Sequence, residues 1–339
     1  MTKGAKGTIL ITTLWILALL TLLALGIGIR MGIDVKLTGF YINSLKARYL
    51  AEAGIRKTIA LLDEDDSPNA DSLNEIWSCG FDFDEEEYAL KDIGLGEGGF
   101  TVFHTAGYDD EGNPVYLYGA SDEGGRLNIN EIKSELLARL PGFSFETAFA
   151  VLDWRDEDEL ERPGGGAEDA YYESLEAPYE CRDGRFGVPE ELMLVKGVTQ
   201  ETYDGVKDLI TVYGQDKAVN INTASEGVLA VIAGEEFESL PAKIARYRNG
   251  SDGLPGTEDD KVFVSVDTIA AELSAALILD GIEQKRVKEL ADSGFFKVRS
   301  DTFRVVSRGE LKDGRIKKTI EAVIRRGDKG AELLYYYED

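Results

Sequence analysis

The chain has 339 residues, of which 63 are Asp or Glu and 37 are Lys or Arg, with a single histidine and a formal net charge of −26. That acid excess argues against a nucleic-acid binder, whose affinity is drawn from Lys and Arg clusters on phosphates. Hydrophobic residues at 43% and aromatic residues at 9% supply packed cores, so the chain is not disordered, and its length suits two or three domains.

The charge is unevenly placed. Residues 1–62 hold 8 basic and 2 acidic side chains, residues 295–326 hold 10 and 4, and residues 63–294 hold 18 and 53, a net −35. Carboxylates at that density repel one another unless they hold cations, Ca²⁺ being the usual one outside the cytoplasm. Cys79 and Cys181 are too few for a disulfide scaffold or a zinc site, and their spacing leaves one bridge or two free thiols equally open.

Residues 8–29 carry no charged side chain and follow a seven-residue leader containing Lys3 and Lys6. As a helix this run is long enough to cross a bilayer, and the lysines before it favour a cytoplasmic N-terminus with the acidic bulk on the other side. Three fates compete: a secretory signal cut near Ala24-Leu25-Gly26, an uncut anchor, or a leader cut after Gly7 that leaves Thr8 first. From Ile33 onward, Leu37, Phe40, Leu45, Ile55, Ile59 and Leu62 keep helical spacing without proline, predicting one helix of roughly 80 Å over residues 8–62. A removable signal has no reason to continue in phase into a second amphipathic helix.

A basic leader ending in Gly7, an apolar helix directly after it, and Ala47-Arg48-Tyr49-Leu50-Ala51-Glu52-Ala53-Gly54 together resemble type IV pilin-like proteins, whose pseudopilins share an A-x-x-x-A-E-A-G segment. Most of them carry Glu at the fifth mature position, where it pairs with a neighbouring subunit's amine; here that position is Thr12. The minor pseudopilins that lack this Glu are the general secretion pathway protein K family of type II secretion systems, and the chain resembles them. The resemblance implies cleavage after Gly7 by the prepilin peptidase and methylation of the Thr8 amine. It also implies a single pass through the inner membrane, with the C-terminal bulk in the periplasm. The implied place is the pseudopilus tip, initiating and capping assembly beside I- and J-type minor pseudopilins and above the inner-membrane assembly platform.

Further on, residues 100–106 and 114–120 alternate as strands around Gly107-Tyr108-Asp109-Asp110-Glu111-Gly112-Asn113, a hairpin-type turn. An internal repeat follows. GRLNINEIKSELLARLPG at 125–142 and KAVNINTASEGVLAVIAG at 217–234 superimpose Asn128-Ile129-Asn130 on Asn220-Ile221-Asn222 and Gly142 on Gly234. In each copy the Asn-Ile-Asn step leads into a capped, apolar-periodic helix ending at glycine. A second helix (145–154; 240–248), an acidic loop and a third helical element from Val188 or Val264 complete each unit. The first closes in Leu194-Val195-Lys196-Gly197-Val198, the glycine turn of a helix-hairpin-helix, and the second in Ile278-Leu279-Asp280-Gly281-Ile282. Such turns hold DNA phosphates elsewhere, but the surrounding acidity would repel a polyanion, so the hairpins read as scaffold and protein-contact surface. The duplicated units resemble the α-domain of the protein K family.

The first acidic loop has Asp153, Asp156 and Asp158 before a glycine-rich bend at Gly164-Gly165-Gly166, then Glu168 and Asp169. These acids supply two walls of oxygens for Ca²⁺, which takes six to eight, although the twelve-residue frame of an EF-hand is absent. A plain solvated loop is the alternative. The stretch resembles the family's loop at this place, and the family binds calcium in its α-domain. The second loop offers Asp252, Asp259 and Asp260 as a weaker set and resembles a calcium loop of the major pseudopilin.

Residues 295–306, 315–326 and 331–337 again read as strands, turning at Lys312-Asp313-Gly314 and Gly327-Asp328-Lys329-Gly330. The fold class expected is α+β, a pilin-like long N-terminal helix packed on an antiparallel sheet that is interrupted by a large all-α insert of duplicated, SAM-like helix-hairpin-helix units. The divisions are a leader at 1–7, an apolar helix at 8–29 and its amphipathic continuation at 30–62. First strands lie within 63–121, the insert at 122–294 (repeats 125–214 and 217–294), and the last strands at 295–339.

Enzyme readings fail. Gly94-Leu95-Gly96-Glu97-Gly98-Gly99 satisfies G-x-G-x-x-G but is followed by a strand where a dinucleotide site needs a helix, and Gly164-Gly165-Gly166 lacks the Lys of a phosphate loop. His104 stands mid-strand as a structural histidine. A rival from another class is a membrane-anchored periplasmic protein that uses calcium loops to bind a ligand.

Overall fold

The computed structural model describes residues 5–65, 69–108, 113–276, 279–312, 314–327 and 330–339. Lys3 of the leader, Asp109 to Gly112 of the first turn, Ile278 of the second hairpin, and Asp313, Asp328 and Lys329 of the last turns lie outside the described residues.

Helix α1 (Ala5–Asp63) is unbroken over 59 residues, about 88 Å long. From Thr8 to Ile29 every side chain is exposed, and the stretch is apolar and long enough to cross a membrane. The hydroxyls of Thr12, Thr13 and Thr21 donate to the carbonyls of Ile9, Leu10 and Ala18 at 2.8–2.9 Å, so they bring no unpaired polar group to that surface. Beyond Lys46, the residues Ala47, Leu50, Ala51, Ile55, Thr58 and Leu62 become buried at helical spacing.

Helix α2 (Ile76–Cys79) seats Trp77 edge-on against Phe303 with ring centroids 4.8 Å apart. Strands β1 (Phe81–Asp82) and β2 (Glu87–Tyr88) pair beside it. The G-x-G-x-x-G run is a hairpin in which β3 (Ile93–Leu95) turns through Gly96, at φ +60°, into β4 (Gly98–Val102). Strands β5 (His104–Tyr108) and β6 (Pro114–Leu117) form a separate antiparallel pair, and β7 (Ser121–Asp122) follows.

The insert then runs through β8 (Leu127–Asn128), α3 (Ser134–Leu137), α4 (Phe145–Arg155), α5 (Asp169–Tyr172), a 3₁₀ turn at Pro189–Leu194, α6 (Gln200–Val206) and β9 (Ile210–Thr211). Its second half comprises β10 (Val219–Asn220), α7 (Glu226–Ala233), α8 (Leu240–Arg248), α9 (Ile269–Ala275), α10 (Gly281–Asp292) and β11 (Phe296–Lys297). Each half is closed by a short parallel pair, β8 with β9 and β10 with β11. The repeat is visible bond by bond. Asn130 bonds the Phe186 backbone in both directions (2.8 and 3.1 Å), as Asn222 does Phe263 (2.9 and 2.9 Å). Arg155 donates to the carbonyls of Ile129 and Ile132, and Arg248 to those of Ile221 and Ala224. Both halves share one apolar core, from Leu127 to Phe296.

Strands β12 (Thr302–Leu311), β13 (Lys317–Arg325) and β14 (Glu332–Glu338) complete an antiparallel sheet of order β14-β13-β12-β4-β3, with β7 also on β12. Two expected strands are divided. Residues 100–106 part at Phe103: its N–H makes the last bond to β12, to the Val306 carbonyl at 3.1 Å, and β7 occupies the next stretch of β12, pairing Asp122 with Phe303. Residues 295–306 split because β11 pairs within the insert, after which the chain bends so that the Ser300 N–H reaches the Asp71 carboxylate at 2.6 Å.

Polar groups join insert to sheet. Asp122 accepts from Asn220 (3.0 Å), Thr223 (2.6 Å) and the Ser300 hydroxyl (2.7 Å), while Asp71 accepts from Arg326 at 2.7 Å. Next to them Glu123 is held by Arg304 at 2.7 Å and Arg126 at 3.2 Å. Burial alone would raise its carboxyl, but the two guanidinium groups hold it down to about 2.

Candidate metal centre

The first acidic loop leaves the C-terminus of α4 and returns at α5. Asp153, 0% exposed, is its anchor: it receives the Arg162 guanidinium, the Arg162 N–H at 3.1 Å and the Ala167 N–H at 2.9 Å. A Cβ at Gly166 would stand 1.9 Å from Asp153 Oδ2, so the glycine bend is what lets the backbone close over this carboxylate. Arg162 also reaches Asp156 at 2.5 Å.

Closing the loop gathers acids. Asp156, Asp158 and Glu168 each present an oxygen within 4.8 Å of the others, and Glu159, Asp169 and Asp183 form a second such group. Glu168 is 5% exposed, yet among the described residues neither of its carboxylate oxygens has a hydrogen-bond partner, and Asp156 Oδ1 is likewise buried and unpaired there. Burial, followed by the charges of Asp153 and Asp156, pushes the Glu168 carboxyl up to about 7. The nearby Glu159 carboxyl is raised chiefly by Asp169. Buried oxygens without donors are costly, and a bound cation would satisfy them. The donor set, carboxylate oxygens on a glycine-bearing loop, fits Ca²⁺.

Of the five acids expected from sequence, three thus converge, Asp169 joins the neighbouring group, and Asp153 is engaged by Arg162. Sequence reasoning missed Glu159, Asp183 and Cys181. Asp183 lies beyond Pro178 and comes in because the Cys181 N–H donates to Asp169 at 2.6 Å, a contact that no local spacing announces.

The second loop is organised by its own hydrogen bonds. Asp259 accepts from the Ser251 N–H at 2.6 Å and the Thr257 hydroxyl at 2.9 Å, Asp260 from the Gly256 N–H at 2.7 Å, and Asp252 from the Leu254 N–H at 2.8 Å. The Ser251 hydroxyl leads the effects that hold the Asp259 carboxyl well below its usual range. Burial pushes Asp260 up to about 6. None of the three enters a group of converging acids among the described residues.

Cys79 and Cys181 are unpaired and buried in different cores. Burial pushes His104 down to about 4, and its Nδ1 lies 3.1 Å from the Gly119 carbonyl. Gly7 and Thr8 fall inside α1.

Residues 135–215 match the family model described as type II secretion system (T2SS), protein K. Type II secretion system protein K of Pseudomonas aeruginosa is 26% identical over 286 residues, spanning 76% of this chain and 77% of that protein. The Aeromonas hydrophila protein of the same name is 28% identical over 192 residues, 54% of each. In fold, the chain matches one from the crystal structure of the GspK-GspI-GspJ complex of the enterotoxigenic Escherichia coli type 2 secretion system. The TM-score is 0.65 at 16% identity, over 90% of this chain and 99% of that one.

Proposed function

We infer that this chain, a relative of type II secretion system protein K, is the minor pseudopilin that initiates and caps the pseudopilus at its tip. The observation that carries the reading is α1: one helix that is wholly exposed from Thr8 to Ile29 and packs against the sheet only from Ala47 onward. Such a helix stays in the membrane until it finds partner helices to cover it. The insert at residues 122–294 is too bulky to recur along a tightly stacked fibre, which supports an end position. So does Thr12, whose hydroxyl is spent on Ile9 and which offers no carboxylate to a subunit above. The solved neighbour is a complex with GspI and GspJ, and minor pseudopilins of those types are the partners proposed here. The prepilin peptidase and the inner-membrane platform complete the set, and the bulk lies in the periplasm.

Within the insert, Asp156, Asp158 and Glu168 would hold a calcium ion, with Glu159, Asp169 and Asp183 beside it; bound there, Ca²⁺ supplies positive charge to otherwise unpaired oxygens. Asp153 and Arg162 fix the loop so that these acids face one another. The insert is then a rigid docking body, with no catalytic step assigned to it.

The test is N-terminal sequencing and mass measurement of the membrane-extracted protein. A methylated chain beginning at Thr8 is expected. A chain retaining Met1, or beginning near Ile27, would overturn the reading.

A further inference from the structure

The thiol of Cys181 has an unusual setting. Cys79, the other cysteine, behaves as a structural thiol, packed with Leu73 and Leu117 and close to the carbonyls of Asn74 (3.5 Å) and Phe81 (3.4 Å). Cys181 is 9% exposed and makes one long contact, 3.8 Å to the Ala167 carbonyl. Its sulfur also lies within 4.8 Å of a carboxylate oxygen of Glu168 and one of Asp183, which are within 4.8 Å of each other. The thiol thus borders the insert's apolar core and at the same time stands among carboxylates. Independently, Glu168 is more than nine-tenths buried, its two oxygens lack hydrogen-bond partners among the described residues, and it stands with both this triad and the pair Asp156 and Asp158.

We propose that Cys181, Glu168 and Asp183 bind a borderline-soft divalent cation, with zinc as its type, at a site that adjoins the all-oxygen acid group and shares Glu168 with it. A point central to three donors no more than 4.8 Å apart is at most about 2.8 Å from each. Side-chain adjustments of under ~1 Å then reach the 2.0–2.3 Å of zinc–oxygen and zinc–sulfur bonds. Calcium takes oxygen ligands, so the sulfur discriminates: a thiolate selects zinc-like ions over hard ones. Two cysteines far apart in sequence do not suggest zinc, but one thiol among converging carboxylates supplies three anionic donors, and water completes the tetrahedron. On binding, the Cys181 proton is released to solvent as the sulfur–metal bond forms. The proposal needs the loop geometry but not calcium.

The experiment uses the full chain in detergent, stripped of metal and titrated with Co²⁺ as a spectroscopic stand-in for Zn²⁺. A near-ultraviolet sulfur-to-cobalt charge-transfer band should rise, saturate, and vanish on adding stoichiometric Zn²⁺. Cys181→Ser should abolish the band and weaken Zn²⁺ binding more than about tenfold, while Ca²⁺-dependent stabilisation persists. Cys181→Ala, which preserves a small apolar side chain, serves if the serine variant does not fold. Absence of the band in the native chain, or its persistence without Cys181, overturns the proposal and leaves the calcium reading standing. Stabilisation by neither metal overturns both.

Discussion

Gly309 of β12 lies so close beneath Ala47 of α1 that a Cβ on Gly309 would stand 2.0 Å from the Ala47 carbonyl oxygen and 2.5 Å from the Ala51 nitrogen. The approach is mutual: a Cβ on Gly54 would meet the Ser307 hydroxyl at 2.2 Å and the Phe100 ring at 2.9 Å. The A-x-x-x-A-E-A-G segment is therefore a contact surface, its small residues letting the helix backbone rest on the strand. Gly309→Ala, which meets rigid backbone, should cost about 2–4 kcal/mol, and Gly54→Val a similar amount. Urea unfolding of the detergent-solubilised chain reads both, and an unchanged midpoint for Gly309→Ala would refute the close packing.

Arg248 and Arg155 each tie down two carbonyls of their Asn-Ile-Asn turns. Arg248→Met keeps the volume and leaves the carbonyls of Ile221 and Ala224 unpaired inside the core, for an expected loss of about 2–4 kcal/mol. Hydrogen exchange should show the protection loss concentrated in β10, α7 and α8, with α1 and β12 unchanged. Uniform loss across the chain would count against the local role.

His104 titrates at about 4 in the folded chain because burial disfavours its charged form. An unfolded histidine titrates near 6.5, so as pH falls the unfolded state takes up the proton first. The histidine's contribution is whole above about 6.5 and is lost progressively toward pH 4, at most about 3 kcal/mol. His104→Asn, whose amide can occupy the position of Nδ1 toward Gly119, should flatten that slope. Comparing unfolding free energies of the two chains across pH 4–7 cancels carboxylates titrating in the same window, and parallel curves would refute the assignment.

Chelation should lower the melting temperature, and Ca²⁺ should restore it. Glu168→Gln should stabilise the metal-free chain, since it removes a buried unpaired charge, and at the same time shrink the calcium response. Asp259→Asn should leave that response intact, because its carboxylate is already engaged by Ser251 and Thr257. Differential scanning calorimetry separates the two variants. A full calcium response in Glu168→Gln would move the ion elsewhere.

The long helix was legible because periodicity and the absence of proline are local signals, and the duplication because Asn130 and Asn222 perform one hydrogen-bonding task twice. Aromatic-Arg pairs at Trp154-Arg155 and Tyr247-Arg248 were visible too, but one extra residue shifts them out of the 92-residue offset. Strand boundaries were less legible. Whether Val102 is followed by more sheet depends on β7 claiming the edge of β12, a competition settled over nearly 200 residues of separation. Within the candidate metal centre, residue types pointed to the loop, whereas the roles inside it depended on Arg162, whose side chain engages Asp153 and Asp156 at once.

Asp122 and Ser300 sit on the two connections by which the insert leaves and rejoins the sheet, and they bond to each other and to Asn220. A pull on the insert therefore loads both connections together. Bonds arranged side by side share tension and rupture as a group, where bonds in a row would peel one after another. Through Ser300 to Asp71, and through Arg326 to Asp71 and Asp65, the strain runs on to the end of α1. The insert is a handle mechanically fixed to the shaft, so a push received by the insert is delivered to the long helix.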